Sequence, residues 1–351
     1  MSPDPAPGVP NREPSAGRDP SHRSWARPVG LALVVALVAV AALLERHQVA
    51  EGSAELGHLR WWWVLSALVC ESASMVAFAR MQRRLLRAGG LAFATGSMVA
   101  ITYAGNAISV SLPVAGSGLG TAYQYRAYTD RGASRDVAAW VLAVSGVVST
   151  VAFALVLVAG ALASGSGTGA VAGGAAGLIL ALPVATLVVA VRHEGARRRV
   201  TRLATRVVTR TQRVIRRPAG DPGQLVGRWI DQLAGLRLSP GSWSLVWGLS
   251  AVNWLADVAC LGFAMAAVGA PVPWKGLILA WGAGAAAASL GLTPGGLGTV
   301  EAALAAGLIA LGLKGGEAFG AVLLYRLISF WLVLAVGWTV YALVRPRTAP
   351  A

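Results

Sequence analysis

The stretch "TPGGLGTVEAAL", Thr293–Leu304, decides how this chain is read. It lies near the end of a long apolar region, yet it carries a proline, three glycines and an acid. Proline and glycine interrupt a membrane helix, and an ionised Glu301 is costly in hydrocarbon. The stretch has an internal partner. Ser111–Thr121 reads "SLPVAGSGLGT" and Ser289–Thr299 reads "SLGLTPGGLGT". Aligned without gaps, six of eleven positions are identical: Ser111/Ser289, Leu112/Leu290, Gly118/Gly296, Leu119/Leu297, Gly120/Gly298 and Thr121/Thr299.

The surroundings of the two copies also match. Each closes an apolar span (91–112 and 274–292) and leads into a short broken segment (117–132 and 296–313). Each broken segment is followed by a span that opens on an acid, Asp136 or Glu317. The charge flanking the spans makes the first copy end an outward span and the second an inward one. The expectation is an inverted-topology repeat with discontinuous helices, an arrangement that places a binding site near the membrane midplane. Backbone freed by glycine and proline survives in a membrane only where protein or a watery cavity covers it. Half-helix N-termini at such breaks present N–H groups and positive dipole ends to an anion. Close helix packing through small residues is the competing reading of the same glycines.

Composition sets the class. Of the 351 residues, 56% are hydrophobic and 13% charged, against about 25% charged in soluble domains. Apolar runs at 29–44, 61–80, 91–112, 136–162, 170–191, 243–268, 274–292 and 317–344 approach or reach the roughly 20 residues that span a bilayer. The fold class expected is all-α: a polytopic membrane bundle of about eight spanning helices plus two re-entrant or broken helices. Residues 1–28 read as a disordered tail, 29–344 as the membrane domain and 345–351 as a short tail.

The net charge of +15 is carried almost wholly by arginine. The arginines cluster between spans, at Arg80–Arg87 and in the loop 192–241, and this is the positive-inside pattern rather than a nucleic-acid surface. Both termini and that loop are expected in the cytoplasm, with the protein in the plasma membrane of a bacterium with GC-rich DNA. Within the loop, Arg199, Arg202, Arg206, Arg210 and Arg213 form one stripe and Val200, Leu203, Val207 and Val214 another. Either an interfacial helix on anionic headgroups or a solvated basic loop accounts for them.

Several charges stand where lipid is expected: Glu71, Asp257 (one turn after Asn253), Glu301, Arg326 and, in the first broken segment, Arg126. Such groups face the bundle interior and find partners. Glu301 and Arg326 are expected near one another because their helices are consecutive. Arg126 and Arg326 are candidates for holding a phosphate, with Gly116, Gly118, Gly120, Pro294, Gly295, Gly296 and Gly298 forming the helix ends around it. Glu71, Asp257 and Glu301 are candidates for a proton, a cation or an amine headgroup. A set of purely structural ion pairs is the alternative. Cys70 and Cys260 lie inside apolar spans as small buried residues, and His47, His58 and His193 fall in loops. No nucleophile, metal-ligand or nucleotide signature is present, so neither an enzyme nor a cofactor is expected.

"TPGGLGTVEAAL" resembles the PGG-x-G-x-x-E signature of the membrane domain of lysylphosphatidylglycerol synthase/flippase proteins. Leu112–Ser134, "LPVAGSGLGTAYQYRAYTDRGAS", resembles the first-half pattern of the same family, and the resemblance extends over 29–344. It implies a bundle of two inverted repeats with re-entrant helices, in a domain implicated in moving modified phospholipid between leaflets. By motif it singles out Pro294, Gly295, Gly296, Gly298 and Glu301, with Pro113, Gly116, Gly118 and Arg126 from the first half. Thr121 departs from the pattern, since many members carry Glu there. The aminoacyl-transfer domain of the full synthases does not follow the last span, so lysine transfer is not expected. The implied function is a translocase of an anionic phospholipid or polyprenyl-linked lipid made by another protein. A scaffold that recruits a separate lipid-modifying enzyme or glycosyltransferase through the basic loop is the alternative.

Overall fold

A computed structural model describes residues 59–113, 115–165, 167, 238–289, 291 and 293–343. The expected tails 1–28 and 345–351, the spans 29–44 and 170–191, and the basic loop up to residue 237 lie outside the described residues. Among the described residues every regular element is helical. The helices are α1 (Trp61–Ala88), α2 (Thr95–Ser111), α3 (Gly116–Thr129), α4 (Arg135–Ala163), α5 (Pro240–Ala267), α6 (Leu277–Ser289), α7 (Thr299–Ala310) and α8 (Gly315–Leu343). A one-turn 3₁₀ helix, Pro294–Gly296, stands between α6 and α7.

Local chemistry fixes several ends. Ser134 Oγ accepts from the Val137 N–H and caps α4, with Asp136 in the first turn. Ser239 caps α5 in the same way, and Pro240 takes the first helical position, where its missing N–H costs nothing. α1 does not stop at Arg80 as its apolar run suggested. It continues through Arg87, because arginine is a good helix former once the chain leaves the apolar layer.

α1 and α5 form the axis of the bundle and run antiparallel. At one end the Arg60 N–H donates to Ala267 O (2.9 Å) and Trp63 stacks on Phe263 (5.5 Å). At the other, Arg84 Nη2 donates to Ser242 Oγ (2.9 Å). Midway, Ser74 Oγ donates to Asn253 Oδ1 (3.3 Å). Two apolar cores flank this axis. One joins the first half of α1 and the second half of α5 to α6, α7 and α8, around Trp281, Leu304 and Leu308. The other joins the opposite halves to α2, α3 and α4, around Met98, Tyr128 and Trp140. The far half of α8 closes back on α2, where Gly337 lies against the Tyr103 carbonyl and Trp338 Nε1 donates to Ser111 Oγ (3.1 Å).

Among the described residues four helices, α1, α4, α5 and α8, are long and apolar enough to cross a membrane. The segments expected as full spans at 91–112 and 274–292 come out shorter, as the 17-residue α2 and the 13-residue α6. At 1.5 Å per residue these reach roughly 20–25 Å, short of a hydrocarbon core of roughly 30 Å. Each turns at its break and is answered by a short antiparallel partner, giving the hairpins α2–α3 and α6–α7.

The glycines of the first hairpin are packing residues. A Cβ on Gly116 would run into the Ser109 carbonyl, and one on Gly120 into Ser109 Oγ and the Gly105 carbonyl. Apolar burial drives helices together weakly in lipid, so close backbone approach of this kind holds them. Gly118, two residues from each, is exposed and meets nothing. Gly120→Val therefore lowers unfolding stability in detergent by about 1–3 kcal/mol, whereas Gly118→Val stays within about 0.5 kcal/mol of wild type. Equal effects of the two would contradict the packing role.

Candidate functional site

The two hairpins, the α1–α5 axis and the middle of α8 enclose a cavity of about 900 Å³. Its charged lining side chains are Glu71, Asp257 and Arg326. The site is best built from the second break, where the backbone leaves helical geometry. Gly295, Gly296 and Gly298 all have positive φ (60°, 71° and 81°), the left-handed region that glycine enters without steric cost. A side chain on Gly295 would also strike the Phe330 ring.

Broken backbone in an apolar bundle must find partners for its polar groups. Thr293 O accepts from the Gly296 N–H (3.1 Å) and Pro294 O from the Leu297 N–H (3.2 Å). The Thr299 hydroxyl donates to Gly296 O (3.0 Å) and the Thr293 hydroxyl to Leu297 O (2.8 Å). The ion pair takes two further groups. Glu301 Oε2 accepts from the Gly298 N–H (2.7 Å), and Arg326 Nη2 donates to Gly295 O (2.7 Å). Arg326 Nε donates to Glu301 Oε1 (2.5 Å), and both side chains are buried. The guanidinium also lies over the Phe330 ring, 4.4 Å from its centroid.

The expected proximity of Glu301 and Arg326 is therefore realised, but the two differ in access. Arg326 faces the cavity, while Glu301 stands behind it, its two oxygens committed to Arg326 and to the first turn of α7. A carboxylate thus already occupies the helix N-terminus that the sequence offered to an anion. Among the described residues, two of the five guanidinium N–H donors of Arg326 are engaged.

Asp257 lines the cavity and accepts from Tyr325 Oη on Oδ1 (2.8 Å) and from Trp281 Nε1 on Oδ2 (3.2 Å). Glu71 also lines it and is buried, and its Oε2 has no hydrogen-bond partner among the described residues. Pro113, Gly295 and Gly296 contribute to the wall. Gly116 and Gly120 are held instead between α2 and α3, Pro294 and Gly298 shape the second break without lining the cavity, and Gly118 borders a separate groove with Tyr125. Arg126 is exposed near the end of α3 and is not part of the cavity wall, so the two arginines are not brought together. Spacing alone did not show which side of α3 Arg126 would take.

Sequence reasoning also passed over a neutral polar cluster on the first-hairpin side. Gln82 donates to Gln124 Oε1 (3.0 Å) and accepts from Tyr128 Oη (3.0 Å), with Thr102 and Ser145 at 3.5 Å. A glutamine inside an apolar helix was its one visible signal. The π-helical stretch Leu327–Leu332 directly after Arg326 left none. π-bulges recur at functional sites, and this one carries Phe330 and the cavity-lining Ser329.

The family described as Lysylphosphatidylglycerol synthase TM region matches residues 29–337, and the chain belongs to it. It is a membrane protein of that flippase-like class, and the matched region is distinct from the catalytic domain of the synthases. A comparison with curated proteins found no match.

Removing one partner of a buried charge pair costs about 3–5 kcal/mol, because the other is left uncompensated. Glu301→Leu and Arg326→Leu should each lower unfolding stability on that scale, and the double variant by less than the sum. Full additivity in this double-mutant cycle would show that the pair does not hold the break.

Proposed function

We propose that this protein is a lipid translocase: the cavity admits the headgroup of an anionic phospholipid or lipid-linked precursor, whose phosphate is received by Arg326. The observation that carries this reading is a guanidinium with uncommitted donors on the wall of a 900 Å³ cavity inside an apolar bundle. Charge-assisted contacts from arginine match phosphate geometry well. The rest of the wall, with Asn106, Ser109, Thr121 and Gln124, suits the neutral polar remainder of a headgroup. Acyl chains would stay in the bilayer beside exposed apolar residues such as Leu155 and Leu245.

In this reading the chain is an inverted repeat within a bundle of about eight spans, and the two hairpins are re-entrant. Matching lengths support the repeat: α1 and α5 have 28 residues each, and α4 and α8 have 29. The antiparallel α1–α5 pair is the contact expected between inverted halves. The arginine-rich end of α1 faces the cytoplasm. The opposite end, where Trp61, Trp62 and Trp274 are exposed, meets the outer interface of the plasma membrane.

Reconstitution in phosphatidylethanolamine/phosphatidylglycerol vesicles with a labelled phosphatidylglycerol reporter tests the reading. Wild type accelerates exchange of the reporter between leaflets. Arg326→Gln slows it about 10–100-fold, as loss of a charge-assisted contact worth about 1.5–3 kcal/mol implies. Arg126→Gln leaves the rate unchanged. A wild-type protein that moves neither phospholipid nor polyprenyl lipid would overturn the proposal.

A further inference from the structure

The acidic side of the cavity holds a group that phosphate binding does not use. Glu71 is 7% exposed, lines the cavity, and has a buried carboxylate oxygen with no partner among the described residues. The α1–α5 register shows what stands opposite. Arg60 meets Ala267, Trp63 meets Phe263, Ser74 meets Asn253 and Arg84 meets Ser242. Glu71 lies three residues before Ser74 and Asp257 four residues after Asn253, one turn along the same helix faces. Two carboxylates on antiparallel helices are thereby brought to one level, both facing the cavity.

The charges around them do not balance. Arg326 faces Asp257 from α8 but is already paired with Glu301. Among the described residues, the other titratable groups near Glu71 are Cys70 beside it, Cys260 on α5, Tyr103 on α2 and Tyr325 on α8, none of them cationic. α4 contributes hydroxyls, Ser145 and Ser149. Two facing carboxylates in a low-dielectric site do not both stay ionised without a bound positive charge.

We infer that Glu71 and Asp257 form a proton site, in which Glu71 takes a proton from the cavity while Asp257 stays ionised, and that loading and release of this proton accompany lipid passage. Tyr325 and Trp281 each donate to Asp257 and so stabilise its ionised form. Among the described residues no group donates to Glu71, and it is the member that carries the proton. A metal ion is disfavoured because it needs several free oxygens. The oxygens of Asp257 already face donors, Asn253 Oδ1 accepts from Ser74, and no cluster of three or more potential ligands occurs among the described residues. The site lies midway along the two helices shared by both cores, so its charge acts where the halves of the bundle meet. The coupling rests on the translocase reading; the proton site itself does not.

Infrared spectroscopy of the full chain in nanodiscs reads the proton directly. As pH rises, wild type loses a protonated-carboxyl C=O band. That band is absent from Glu71→Gln, an isostere of the neutral acid, and displaced in Asp257→Asn. A band unaltered in both variants overturns the proton site. Coupling is read in the reconstituted vesicles. An imposed difference of one pH unit is worth a factor of about ten per proton moved, and the reporter's distribution between leaflets shifts by up to that factor. Glu71→Gln abolishes the response, and an equal sodium gradient has no effect. Exchange driven by sodium and not by pH would overturn the inference. A titrating Glu71 band without lipid movement under any gradient would keep the proton site and remove the coupling and the translocase reading.

Discussion

The ion pair between Glu301 and Arg326 is the contact on which the second half of the bundle depends. A run of three left-handed glycines in an apolar bundle needs partners for its backbone, and the Gly298 N–H and the Gly295 carbonyl find theirs in side chains. One side chain from α7 and one from α8 supply them: Glu301 holds Gly298, Arg326 holds Gly295, and the two hold each other. A buried pair of this kind contributes little net stability against an apolar substitute. Its value here is geometric, since it fixes the angle between α7 and α8 and presents a guanidinium to the cavity.

The two hairpins solve the same problem differently. The first is closed by backbone contact through Gly116 and Gly120 and keeps its polar groups neutral, around Gln82, Gln124 and Tyr128. In the second, Gly307 packs against the Ala280 backbone and a charge pair ties the break to α8. The cavity inherits this difference, with amides and hydroxyls toward α2–α3 and the charged groups toward α5 and α8.

Much of this was legible in the sequence for reasons that can be named. Long apolar runs admit few structures, so the positions of α1, α4, α5 and α8 followed from composition. The breaks followed from proline and glycine in matching places. Glu301 and Arg326 were paired because consecutive helices leave few other partners for buried charges. The rest needed three-dimensional information. Gly116 and Gly120 differ from Gly118 only in the face of α3 they occupy, and Arg126 fell on the exposed face. The level pairing of Glu71 with Asp257 depends on a register between helices far apart in the chain. The π-helical stretch after Arg326 has no compositional mark.

The proposed function requires water to reach Arg326 through the polar cavity inside an apolar bundle. Aqueous thiol labelling reads that access. In a Cys70→Ala, Cys260→Ala background, single replacements Ser109→Cys, Thr293→Cys and Ser329→Cys on the cavity wall should react with a charged, membrane-impermeant thiol reagent. Leu155→Cys and Leu245→Cys, exposed on the apolar outer face, should not. Protection of the three wall positions together with labelling of the two leucine positions would contradict the account.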